Sequence, residues 1–201
     1  MTKQIYICGD SFCSSDPEYG FCWVDYLSRR RSVCNLAKVG ATNLMISMQV
    51  DQAIADAADF VIVHGTSCTR SQSIYKNNIV PFSYHTVSET VTPFDKNQLR
   101  ILKEYYTEFF DLSLAIYENK CIIENTLHKL KQSGIPFLFD QGGFEHPSFG
   151  SDQTYFDQYQ IHRSKINLWD YARTREYRPY YHIVDDAIHQ QIADYYLKET
   201  Q

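Results

Sequence analysis

A chain of 201 residues with a formal net charge of −5 fits a single domain that can bury a substantial core. The negative charge argues against a protein that binds nucleic acid by neutralising phosphates, and no apolar stretch reaches the length of a membrane span. No secretion signal precedes the first predicted strand. The six cysteines are therefore expected to be reduced, and the protein is expected to be cytoplasmic.

Strands and helices are predicted to alternate along the chain. Runs of β-branched and aromatic residues predict strands, and apolar residues at helical spacing predict helices, with Thr42 or Asn43 as the expected cap of the second one. Predicted strands cover 4–8, 33–37, 60–63 and 136–140, with a fifth over 181–184, and predicted helices cover 20–30, 44–55, 98–132 and 185–197. The alternation predicts a flavodoxin-like, three-layer α/β/α sandwich with a parallel sheet of about five strands.

The longest predicted helix, 98–132, carries an apolar stripe that is expected to face the core, and Gly134 is its expected C-cap. The stripe consists of Leu99, Leu102, Tyr106, Phe109, Phe110, Leu114 and Tyr117. Two segments, at about 68–99 and 141–179, lack a clear period. We predict that they are insertions over the active-site edge of one domain, 1–201.

The sequence Gly9-Asp10-Ser11 directly follows the first predicted strand. This position puts a serine hydroxyl at the carboxyl edge of the sheet, where ligands of open α/β sheets bind. Asp186 and His189 stand three apart on a predicted helical turn, so their side chains share one face. A carboxylate that orients an imidazole, and an imidazole that takes a serine proton, are the working parts of a serine hydrolase. Structural roles are the alternatives: Ser11 as an N-cap, His189 as a surface residue, and Asp185 as a rival to Asp186 for orienting or capping.

This layout resembles the SGNH hydrolases, also called the GDSL family. In that family the serine after the first strand is the nucleophile, and an Asp-x-x-His near the C-terminus supplies the orienting acid and the base. The resemblance implies that Ser11, His189 and Asp186 take these catalytic roles. Gly40, after the second strand, resembles the second family block, whose glycine N–H points into the oxyanion hole.

The third family block departs from the pattern. The family usually has Gly-x-Asn-Asp after the third strand, whereas this chain has Gly65-Thr66-Ser67-Cys68. Ser67 stands where the asparagine is expected, and its hydroxyl offers a single rotatable donor. The resemblance therefore implies an oxyanion hole formed by Ser11, Gly40 and Ser67, with Arg70 or Thr66 as a compensating group. The compact form is similar to small SGNH-type proteins of tailed phages, which implies the host cytoplasm or the virion as its location.

These features predict a serine ester hydrolase that acts on small O-acyl esters, with acetylated carbohydrates as one substrate class. The histidines show no metal-ligand spacing and no glycine-rich nucleotide loop is present, so neither a metal nor another cofactor is predicted. An acyltransferase, and a binding or assembly protein with weak or no catalysis, remain alternatives. The expected partner is a small-molecule ester or a glycan, and neither nucleic acid nor a membrane. The oligomeric state does not follow from the sequence.

Overall fold

A computed structural model of the chain describes residues 3–15, 21–75, 78–83, 94–140, 168, 183 and 185–201. Its strands are β1 (Gln4–Cys8), β2 (Ser32–Asn35), β3 (Phe60–His64), β4 (Ser71–Tyr75), β5 (Asn78–Phe82) and β6 (Phe137–Asp140). Its helices are α1 (Trp23–Ser28), α2 (Asn43–Ala55), α3 (Lys96–Glu104), α4 (Leu112–Ser133) and α5 (Asp186–Glu199), with a π-helical turn (Tyr105–Phe109) after α3.

Four strands form a parallel sheet in the order β2-β1-β3-β6. The strand order reverses between β1 and β3, and open α/β sheets form their ligand-binding crevice at the carboxyl ends of two such strands. The parallel α/β prediction is confirmed. The described part of the sheet has four strands, however, and not about five. The fifth was expected over 181–184, which lies outside the described residues except for Ile183.

Alternating side chains of β1 divide the core into two clusters, one on each face of the sheet. Ile5 and Ile7 pack with residues of α1 and α5, whereas Tyr6 and Cys8 pack with residues of α2 and α4. The sheet is therefore covered by helices on both faces, as the continuous apolar runs of its strands require. This arrangement confirms the predicted three-layer sandwich.

A buried polar cluster joins α5 to the ends of β3 and β6. The Tyr196 hydroxyl donates to Asp140 Oδ2 at 3.2 Å and lies 3.1 Å from His64 Nε2. The Trp23 ring lies against both aromatic partners, with centroid distances of 5.3 Å to His64 and 4.7 Å to Tyr196. Burial lowers the pKa of His64 to about 3. The neutral ring therefore donates from Nε2 to the tyrosine oxygen, whose own proton goes to Asp140.

The predicted helix over 98–132 is divided in two by the structure. Asp111 begins a new helix, because its carboxylate accepts a hydrogen bond from the Leu114 amide at 2.8 Å. The π-helical turn before it shifts the helical register, so the predicted stripe does not stay on one face. Phe109 and Tyr117 are consequently 77% and 65% exposed. The far end follows the prediction, since Gly134 ends α4 with a φ of 73°.

The antiparallel hairpin β4–β5 belongs to the predicted insertion at 68–99 and lies against the turn after β2. Thr42 Oγ1 donates to Gln72 of the hairpin, and a Cβ at Gly40 would lie 3.3 Å from Pro81 Cγ. Thr42 also caps α2, as predicted, by accepting from the Met45 amide. The insertion predicted at 141–179 lies outside the described residues apart from Leu168, which is fully buried in the core.

Candidate active site

The turn that carries Ser11 begins at Gly9, where β1 ends. The side-chain amide of Gln49, on α2, binds both polar atoms of the Gly9 backbone: Oε1 accepts from the amide at 2.7 Å, and Nε2 donates to the carbonyl at 3.2 Å. A Cβ on Gly9 would lie 2.9 Å from Cys13 Sγ and 3.2 Å from His64 Cβ. Glycine is therefore required for the close approach of this backbone to β3.

Asp10 shapes the same turn from within. Its carbonyl accepts from the Cys13 amide at 3.0 Å, and its Oδ1 accepts from the Phe12 amide at 3.0 Å. The carboxylate is fully buried, whereas Ser11 beside it remains partly exposed. The turn thus presents the candidate nucleophile at the carboxyl end of β1, bordering the crevice between β1 and β3.

His189, the candidate base, lies in the first turns of α5. Asp185 caps this helix by accepting from the Ala187 amide at 2.8 Å, which leaves Asp186 in the first turn and exposed. The His189 ring is buried, and its Nε2 lies 3.0 Å from the carbonyl oxygen of Ile183. Within the described residues, Nδ1 has no hydrogen-bond partner, so neither Ser11 nor Asp186 is bonded to the ring in this structure.

Burial sets the direction of the His189 pKa. Burial lowers this pKa below its usual 6.5, against smaller raising effects from the Ile183 carbonyl and the nearby carboxylates of Asp186, Asp25 and Asp185. The net shift is downward because desolvation outweighs the attraction of these carboxylates. His189 is therefore neutral at neutral pH, the state in which an imidazole can accept a proton.

Two backbone amides, those of Ser11 and Gly40, lie in the turns that follow β1 and β2. Gly40 follows β2 with a φ of 74°, in the left-handed region that favours glycine. Neither the Ser11 nor the Gly40 amide donates a hydrogen bond within the described part of the chain. Both residues are partly exposed. Backbone donors left open at a sheet edge are what an oxyanion hole requires.

Solved structures provide a comparison for this arrangement. The chain matches the psychrotrophic esterase EstA from Pseudoalteromonas sp. at 12% identity and a TM-score of 0.57, over 98% of this chain and 95% of that one. A protein from Desulfitobacterium hafniense that is assigned to the G-D-S-L family of lipolytic proteins matches at 11% identity and 0.56, over 99% of both chains. The chain has the fold of the SGNH hydrolases. TesA also matches, at 12% identity and 0.54, over 98% of this chain and 97% of that one. No protein-family model and no curated protein matches the sequence.

The loop 65–70 after β3 is held by two asparagine side chains, Asn43 and Asn119, whose contacts with it were not predicted from the sequence. Asn43 binds both polar backbone atoms of Thr66: its Oδ1 accepts from the Thr66 amide and its Nδ2 donates to the Thr66 carbonyl, each at 2.9 Å. Asn119 of α4 accepts from Asn43 at 2.7 Å and donates to the Cys68 carbonyl at 3.3 Å. In the sequence, both contacts were indicated only by an asparagine within or at the start of a predicted helix. Both asparagines are buried in the structure, where a polar side chain needs hydrogen-bond partners.

Ser67 lies in this loop with its hydroxyl directed along the chain. Its Oγ accepts from the Thr69 amide at 3.2 Å and lies 2.8 Å from Thr69 Oγ1. These contacts are those of a serine that stabilises a turn. The predicted role of Ser67 as an oxyanion donor stays a prediction, as does the phage resemblance that rests on this loop.

Two structural findings concern metals and membranes. Among the residues that the structure describes, no three His, Cys, Asp or Glu side chains lie together as metal ligands. Within the same residues, no helix is long and apolar enough to span a bilayer.

Proposed function

We propose that this protein is a serine ester hydrolase with Ser11 as nucleophile, His189 as base and Asp186 as the residue that orients the base. The observation that carries the proposal is the Ser11 turn, which holds a partly exposed serine at the carboxyl end of β1. The Ser11 and Gly40 amides follow β1 and β2, and neither donates a hydrogen bond within the described residues. The SGNH fold supports this assignment, although fold alone does not determine function.

In the proposed reaction, Ser11 Oγ forms a bond to the acyl carbon of the ester while His189 takes the hydroxyl proton. The carbonyl oxygen becomes an oxyanion, which accepts hydrogen bonds from the Ser11 and Gly40 amides and from the Ser67 hydroxyl. Collapse breaks the bond to the alcohol, which leaves with the proton from His189. Water then attacks the acyl-enzyme and gives a proton to His189; the bond to Ser11 Oγ breaks, His189 returns the proton to that oxygen, and the acid is released.

Two groups compete to orient the base. The Ile183 carbonyl can only accept, so its contact with Nε2 makes that nitrogen the protonated one in the neutral ring and leaves the lone pair on Nδ1. Asp186 is the carboxylate that contributes most to raising the pKa of His189. We assign the orienting role to Asp186, because its position three residues before His189 places both side chains on one face of α5. In that role Asp186 accepts from Nδ1–H of the other tautomer, and Nε2 exchanges the Ile183 carbonyl for the Ser11 proton.

The proposed substrates are small O-acyl esters, with acetylated carbohydrates as one class. EstA, at a TM-score of 0.57, is an esterase whose structure is described as inhibited by monoethylphosphonate. A phosphonate that mimics the tetrahedral intermediate is accordingly the natural probe of this site. A cytoplasmic location remains part of the proposal.

The decisive experiment is labelling by a fluorophosphonate. We expect stoichiometric labelling of the wild-type protein and none of the Ser11→Ala variant. Ser15→Ala is the matched control, because Ser15 lies in the same segment but is exposed and bonded to Asp25. Labelling that survives Ser11→Ala, or its absence from wild type between about pH 5 and about pH 9, would refute the proposal.

A binding or assembly protein on the same scaffold is the second candidate. The observation that favours it is the absence, within the described residues, of hydrogen bonds linking Ser11, His189 and Asp186. Failure to label in the fluorophosphonate experiment would support this candidate. An acyltransferase would label like a hydrolase, but it would move the acyl group to an added alcohol faster than to water.

A further inference from the structure

The guanidinium of Arg70 lies where three segments of the candidate site meet. Its Nη1 donates to Asp10 Oδ2, in the Ser11 turn, at 3.1 Å. The same nitrogen donates to the carbonyl of Ala41, the residue after Gly40, at 3.1 Å. The Arg70 main chain belongs to the loop after β3, where its amide donates to the Ser67 carbonyl at 3.3 Å. One nitrogen atom therefore connects the segments that carry all three proposed oxyanion donors.

The ion pair between Arg70 and Asp10 is buried. The Asp10 side chain is fully buried, and that of Arg70 is 15% exposed. The carboxylate also accepts from Thr66 Oγ1 at 2.7 Å, so the loop after β3 holds it from two positions. A buried carboxylate without a partner is costly, and removing one member of such a pair leaves the other charge unsatisfied. The geometry of the Ser11 turn thus depends on a side chain from another loop.

We propose that Arg70 is a positioning residue that fixes the placement of the Ser11 and Gly40 amides relative to each other. This inference rests on the proposed function. Ser67 offers a single short hydroxyl, which already lies 2.8 Å from Thr69 Oγ1, where the family resemblance leads us to expect a side-chain amide. Stabilisation of the oxyanion then falls mainly on the two backbone amides, which act only if they are preorganised. Arg70 supplies that preorganisation through Asp10 on one side and Ala41 on the other.

Arginine suits this role because its planar guanidinium presents donors at fixed angles. The two protons of Nη1 point at two acceptors from different segments. A lysine keeps the charge beside Asp10 but holds its ammonium on a flexible stem, so it does not fix the angle between the two acceptors. A methionine keeps much of the volume and loses both interactions.

The test compares Arg70→Met and Arg70→Lys with Arg100→Met, an exposed arginine of α3 that pairs with Glu104 on its own helix. With p-nitrophenyl acetate, Arg70→Met should lower kcat about 100-fold, the loss expected from misplacing reacting groups by about 1 Å. KM should change less than about threefold, because the amides act in the transition state. Arg70→Lys should lose about tenfold in kcat, by the same misplacement argument. Arg100→Met should match wild type.

Hydrogen–deuterium exchange gives a readout that does not depend on activity. Arg70→Met should speed exchange in peptides covering 9–13 and 38–42 together, and Arg70→Lys should do so to a smaller extent. Unchanged exchange in both segments, or an unchanged kcat in an active enzyme, would overturn the inference. If wild type neither labels nor turns over, the proposed function fails, and the exchange result alone decides whether Arg70 positions these segments. If Arg70→Met does not fold, as judged by circular dichroism, Arg70→Lys decides by the same criteria.

Discussion

At the scale of single residues, the orientation of His189 is the point on which the proposed mechanism depends. The ring is bonded to a main-chain carbonyl, and the candidate carboxylates stand at the start of its own helix. Asp185 already acts as the N-cap, whereas Asp186 is exposed and has no capping role. These two neighbours can therefore be separated by mutation.

We predict that Asp186→Asn lowers kcat by several decades, up to about 10⁴-fold, as loss of the orienting carboxylate does in serine hydrolases. Asp185→Asn should leave kcat nearly unchanged, since asparagine caps helices as well as aspartate does. Steady-state kinetics with a chromogenic ester, and circular dichroism as a folding check, measure both. If both variants keep wild-type kcat, the Ile183 carbonyl is sufficient to orient the ring and Asp186 has no part in catalysis.

The sequence identified Gly9-Asp10-Ser11 as the candidate nucleophile turn because a local pattern, a strand followed by glycine, acid and serine, carries that signal. It gave no sign that Asp10 is the buried partner of Arg70. Such a pair joins two loops that are distant along the chain, and only the sheet order brings them together. Local sequence patterns indicate local geometry, so they do not reveal ion pairs between segments that are distant along the chain.

At the scale of secondary-structure elements, α2 binds two loops of the site through side-chain hydrogen bonds. Asn43 in its first turn brackets Thr66, and Gln49 further along brackets Gly9. Each amide pairs with both the N–H and the C=O of one residue, as a neighbouring strand would. Both side chains are buried, so their hydrogen bonds satisfy backbone groups that water cannot reach.

We predict that Gln49→Leu lowers the free energy of unfolding by about 2 kcal/mol, because it leaves the buried Gly9 amide without a partner and the Gly9 carbonyl with only the Lys38 amide. Gln52→Leu is the matched control on the same helix. Gln52 is exposed, and its side chain bonds only to Asp56, so the change should stay within about 0.5 kcal/mol. Urea unfolding measures both values. Equal changes in the free energy of unfolding for the two variants would show that the hydrogen bonds between Gln49 and Gly9 do not stabilise the protein.

Element prediction worked where periodicity and capping agree. The strands β1, β3 and β6 and the Gly134 cap were found to within one residue because continuous apolar runs and a C-cap glycine are local signals. The second strand was predicted over 33–37 but runs over Ser32–Asn35. The prediction of one helix over 98–132 was wrong because it followed the number of apolar positions. It gave too little weight to Asp111, which acts as an N-cap in the middle of the helical pattern. For predicting where a helix begins, a polar residue that can act as an N-cap is as informative as the apolar stripe around it.

At the scale of the whole molecule, the cluster of His64, Asp140 and Tyr196 links α5 to the sheet through buried polar contacts. Its histidine is neutral because burial lowers its pKa to about 3. An unfolded histidine takes up a proton below about pH 6.5. Between these values the unfolded state therefore binds more protons than the native state, and stability must fall as the pH falls.

We predict that wild type loses stability on acidification from about pH 6.5 to about pH 4, and that His64 accounts for about 1.4 kcal/mol per pH unit of this loss. His64→Gln should remove that part of the slope. His128→Gln, on the exposed side of α4, should follow the wild-type slope. Urea unfolding at several pH values gives the slopes. Parallel curves for wild type and His64→Gln would show that His64 does not titrate differently in the two states.

The alternation of strands and helices predicted the parallel three-layer architecture, because continuous apolar runs need helices on both faces. It did not predict the hairpin β4–β5 or its place against Gly40. A two-stranded ribbon of polar and β-branched residues has no apolar face of its own to reveal it. The ribbon is held by contact with the turn after β2 and by packing of Phe82 against Tyr106, and both are properties of the folded molecule.

The position of α5 in the chain has a consequence for synthesis. Ser11 leaves the ribosome well before the helix with His189 and Tyr196. Because synthesis runs from the N-terminus to the C-terminus, a nascent chain that has not reached α5 displays its hydroxyl with no base beside it. On the proposed function, hydrolysis then begins only after α5 docks, and products terminated before α5 are inert toward the esters of the cell that makes them.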